Sequence, residues 1–138
     1  MFVKKYKLVM VTGVLLSSLL YGCSVDSTTS TKQAAISQQQ EEETKAAIQE
    51  FKTYLEGSFK ETSWYANIKA VDMTKIDDKF KVTVTTDLAN DVIGTEKGDK
   101  IIGTVLGWGN AQDSKYKVSE VIVNGSGGVS IAQKLNPL

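Results

Sequence analysis

Hydrophobic positions along this chain change rhythm several times, and each rhythm predicts a different element. Leu8 to Leu20 is an apolar run of about 13 residues, diluted by Gly13, Ser17 and Ser18. As a helix it would span roughly 20 Å, and a membrane-crossing helix needs about 20 apolar residues. From Ser24 to about Gln40 large apolar groups almost vanish, and Ser, Thr and Gln dominate. Such a segment cannot bury enough surface to offset its ordering entropy, so it is expected to be a flexible tether, with Gln38-Gln39-Gln40 either extending the helix that follows or staying disordered.

Periodicity returns at Glu41. Ala47, Ile48, Phe51, Tyr54 and Leu55 fall on one helical face, which predicts a helix over about 41–56. Glu41, Glu42 and Glu43 would lie in its first turn, where the helix dipole favours negative charge. Gly57 is the expected stop, with Phe59 packing back under the end. Trp64 to Val71 alternates loosely and reads as a strand with Trp64, Ala66, Ile68 and Ala70 on one side. Asp77-Asp78 predicts a turn. Phe80, Val82, Val84 and Thr86 then alternate strictly with lysines and threonines, the mark of a half-buried strand.

Asp87 to Gly98 reads as a loop with scattered acids. Ile101, Ile102, Val105, Leu106 and Trp108 recur at helical spacing in spite of Gly103, Gly107 and Gly109. A glycine inside a helix costs about 1 kcal/mol, so close approach to a sheet is expected to compensate. Tyr116 to Val123 and Val129 to Ala132 read as a hairpin around Asn124-Gly125-Ser126-Gly127-Gly128. The order is helix, two strands, helix, two strands. It predicts a single α+β domain over 41–138, with two helices on one face of a four-stranded, mainly antiparallel sheet.

Composition narrows the chemistry. The chain has no histidine and no arginine, and its only cysteine is Cys23. Cys/His zinc sites, histidine-based triads and intrachain disulfides are thereby excluded, and the arginine fork for phosphate or guanine is missing. The remaining acids do not follow the calcium-loop spacing. The Gly-rich turn at 125–128 lacks the phosphate-loop pattern and does not lead into a helix. No catalytic residue, metal ligand or cofactor is assigned. A carboxylate or hydroxyl chemistry would fall to Asp78, Asp87, Asp91 or Ser126. Trp64 and Trp108 are the candidate partner contacts, because Trp is enriched at interface hot spots, and core packing is the competing reading.

Three lysines, Lys4, Lys5 and Lys7, precede the apolar run, and Leu20-Tyr21-Gly22-Cys23 follows its end. A basic start and a short apolar run make a secretory signal. Over Leu20 to Cys23 the chain resembles the lipobox of bacterial lipoproteins. The resemblance implies a diacylglyceryl group on the Cys23 sulfur and cleavage between Gly22 and Cys23. It implies residues 1–22 as signal peptide, 23–40 as lipidated cysteine and tether, and anchorage on the extracytoplasmic face of the cell membrane. The overall pattern looks like that of small lipoproteins of Gram-positive bacteria. Loss of Lys4, Lys5 and Lys7 would leave 13 of the 16 basic residues against 16 acids, a side-chain charge of −3. A mildly acidic domain offers no footprint for nucleic acid and no polybasic patch for anionic lipid. The expected protein is a lipid-anchored, non-catalytic monomer with a protein partner. The alternative is a small-ligand-binding protein or a carboxylate-based enzyme of the cell envelope.

Overall fold

The computed structural model describes residues 27–137, so the expected signal segment, Gly22 and Cys23 lie outside the described residues. Two helices and four strands follow in the order α1 (Ser27–Phe59), β1 (Ile68–Ile76), β2 (Lys79–Thr86), α2 (Val92–Asn110), β3 (Lys117–Asn124) and β4 (Ser130–Leu135). The α+β class and the helix-strand order are those expected from the sequence.

The strands lie side by side in chain order. β1–β2 and β3–β4 are antiparallel hairpins, and the central pair β2–β3 is parallel. A parallel neighbour requires a crossover that carries the chain back to its starting end. Here α2 makes that return. The hydroxyl of buried Thr86 secures the junction: it donates to the Asn124 carbonyl at 2.9 Å and accepts from the Leu88 amide at 3.3 Å.

One apolar cluster gathers the inner face of the sheet and both helices. Phe80, Val82 and Val84 supply β2's share, with Val118, Val121 and Val123 from β3. Lys81, Thr83 and Thr85 alternate onto the other face, as the period-2 pattern requires. There Lys81 pairs with Glu120 at 2.9 Å, and Gln133 donates to the same carboxylate at 2.6 Å.

Several boundaries differ from the sequence reading. α1 is helical from Ser27 onward, where a non-helical tether over 24–40 was expected. Ala34, Ala35, Gln38–Gln40 and Glu41–Glu43 are good helix formers with no glycine or proline among them, and a packed helix beyond them removes the nucleation cost. Residues 33–42 are all exposed. Gly57 does not stop the helix, which continues to Phe59.

β1 lies later than the loose alternation around Trp64 suggested. Trp64 is followed by a 3-10 turn at Tyr65–Asn67, and Val71 and Met73 face the core while Ala70 is exposed. The β1–β2 turn falls at Asp77-Asp78 as expected, with Asp77 at φ 56°, a conformation Asp tolerates better than most residues. The expected acidic loop up to Gly98 is shorter, because α2 starts at Val92. Asp91 is its N-cap and accepts from the Gly94 amide at 2.7 Å.

Candidate functional site

The two tryptophans are core residues, a correction to their candidacy as partner contacts. Trp64 is 5% exposed and Trp108 6%. Trp108 stacks on Tyr116 with ring centres 5.7 Å apart and meets Phe51 at 5.1 Å. Trp64 packs on Phe59 at 5.4 Å. An anchor for a partner must present most of its ring to solvent, and both rings are almost wholly buried.

Of the three α2 glycines expected to bring the helix close to the sheet, Gly109 does so and Gly103 and Gly107 do not. A Cβ at Gly103 or Gly107 would meet nothing within 4 Å, so neither brings the helix close to the sheet. Gly98 and Gly109 do. A Cβ at Gly109 would lie 2.5 Å from Val118 Cγ2, and one at Gly98 would lie 3.1 Å from Ala132 Cβ.

Gly107 instead lines a groove of about 850 Å³ between α1 and the carboxyl end of α2. Ala46, Gln49, Glu50, Thr53, Gly57 and Ser58 form its α1 wall at helical spacing, and Ala111 and Ser114 extend the other side. The walls are built from small or short polar side chains. Tyr54 and Trp108 supply the aromatic part of the lining. Glu50 and Asp113 bring two carboxylates to the same groove, and Lys115 stands 3.5 Å from Glu50. This arrangement can bind, by apolar contact and by charge. The sequence carried a faint signal for it: Ala46, Gly57 and Gly107 are small residues on helix faces that the apolar stripes do not use.

The acids and the serine singled out by sequence are dispersed. Asp78 is exposed in the β1–β2 turn. At the opposite end of the sheet, Asp87 accepts from Asn67 Nδ2 at 2.7 Å and pairs with Lys69 at 2.9 Å. The Asn67 hydrogen bond, with help from Lys69, holds its carboxyl below the ordinary carboxylate range. Asp91 is engaged as the α2 cap. Ser126 reaches the same end through its amide, which donates to the Leu88 carbonyl at 2.7 Å. Among the described residues no three of these groups come together as metal ligands.

That end also carries the most exposed apolar side chains near the α2 start: Val92 at 84%, Ile93 at 65% and, from the β3–β4 connection, Val129 at 52%. No known protein family, curated protein or solved structure matches this chain.

Proposed function

We propose that the protein is a lipid-anchored, extracytoplasmic interaction module of the cell membrane. The observation that carries this reading is the succession of Lys4, Lys5 and Lys7, the short apolar run and Leu20-Tyr21-Gly22-Cys23. Two acyl chains on one cysteine give stable membrane attachment, where a single chain gives only marginal binding. A non-catalytic role agrees with the chain's chemistry. Without histidine it lacks the commonest general base, and with Cys23 acylated it lacks a thiol nucleophile. The partner is a protein of the envelope, a transporter, a cell-wall component, or an incoming phage or plasmid system.

The decisive experiment is intact mass spectrometry of the membrane fraction. The expected mature chain starts at Cys23 and carries a diacylglyceryl group, and Cys23→Ala removes both the lipid and the cleavage. A wild-type protein without lipid ends this reading. A second reading, a small-ligand-binding protein, is favoured by the groove and its aromatic lining. Loss of the cellular phenotype on Glu50→Gln or Asp113→Asn, with fold and anchor unchanged, would move the assignment to it.

A further inference from the structure

The helix in place of a tether has a geometric consequence. α1 runs antiparallel to β1: Glu43 near its middle pairs with Lys75, and Gln49 to Glu56 flank Tyr65 to Val71. The segment of α1 before Glu43 therefore leaves the domain at the end of the sheet that holds the Asp77-Asp78 turn. Over residues 33–42 no packing contact buries it, since all of them are exposed. Its surface is polar, with Ile36 the one large apolar side chain over 33–42. A helix that is polar all round has no face to bury and serves to bridge solvent. Extending an already packed helix needs only propagation, and the Glu41–Lys45 pair at 2.7 Å, one turn apart, supports it.

We infer that the amino-terminal half of α1 is a rigid stalk that fixes how the domain stands on the membrane. The stalk holds the Asp77-Asp78 turn toward the lipid and the end carrying Val92, Ile93 and Val129 away from it. The inference rests on lipidation at Cys23, which lies four residues before Ser27. From Ser27 to Glu43 the helix rises about 24 Å. β2, at eight residues, adds about 26 Å between the two ends of the sheet. A flexible chain of the same length would have a similar mean span but would let the domain tumble and collapse onto the surface.

Two measurements on the full chain test it separately from the anchor. In the first, Cys23→Ser carries spin labels at Gln33→Cys and Lys52→Cys. A continuous helix places the two positions about 28 Å apart with one narrow distance distribution. A broad distribution overturns the stalk and leaves the lipoprotein reading standing. In the second, the lipidated protein sits in phosphatidylglycerol vesicles and a dye is placed at Asp78→Cys or Ser126→Cys. Energy transfer to acceptor lipids should be several-fold stronger from position 78, and Ala35→Pro should erase the difference. Equal transfer from both positions in the unbroken chain overturns the orientation. Absence of lipid on wild-type Cys23 overturns the membrane-facing part of the inference together with the function it rests on, whatever the spin-label distance.

Discussion

Trp108 joins three parts of the chain: its ring meets Phe51 of α1 and stacks on Tyr116 just before β3, while its backbone belongs to α2. Trp108→Ala is therefore a cavity substitution, expected to cost about 3–5 kcal/mol. For a domain of this size each kcal/mol is worth roughly 4–8 °C of melting temperature. A thermal melt that falls by more than 10 °C fits the core role, and an unchanged melt would contradict it. The sequence alone made both tryptophans ambiguous, because a Trp on a helical stripe and a Trp at a hot spot have the same local context. What separates them is the position of Phe51 and Tyr116, which only the fold supplies. In the sequence Asp91 is one of several scattered loop acids, and its use as a cap is plain only because α2 starts at Val92.

Two glycines in the last turn of α2 differ in what they do there, and the contrast is testable within one element. Gly107 is helical, exposed and without a neighbour within 4 Å of a Cβ. Gly107→Ala should stabilise the protein by about 0.5–1 kcal/mol through helix propensity alone. Gly109→Ala would drive a Cβ into Val118, and overpacking of that kind costs about 1–3 kcal/mol. Chemical denaturation midpoints moving in opposite directions for the two variants would bear this out. A shared direction would mean that α2 sits differently on β3. Strict alternation from Phe80 to Thr86 made β2 readable to within a residue. β1 was misplaced because Trp64 is buried from a turn and so mimicked the first inward residue of a strand. The parallel β2–β3 pairing left no local trace, since pairing partners depend on where the crossover returns the chain.

Across the described residues, three carboxylates are held below their ordinary range by hydrogen bonds: Asp87 first by Asn67 and then Lys69, Glu120 first by Lys81 and then Gln133, and Glu41 by Lys45. A carboxylate whose folded pKa is lowered stabilises the fold above its unfolded pKa, near 4, and ceases to do so as pH falls through the lowered value. Melting temperature should accordingly hold steady from pH 7 to about 5 and decline below about 4. Asn67→Ala should raise the titration midpoint of Asp87, read by NMR. A midpoint that stays put would show that Asn67 does not hold the carboxylate.

The parallel centre of the sheet also governs the order in which the chain acquires its structure. Each outer hairpin pairs residues close in sequence and can form within microseconds. The seam between β2 and β3 pairs Phe80 with Val118, and everything from the end of one strand to the start of the other must be looped out first. Closing such a loop carries an entropy cost that neither hairpin faces. Until β3 has emerged during synthesis, Val82 and Val84 have no partner on that side. The β2–β3 seam therefore carries the largest loop-closure cost in the sheet, and its amides, central and flanked on both sides, are expected to exchange most slowly with deuterated solvent because only global unfolding exposes them.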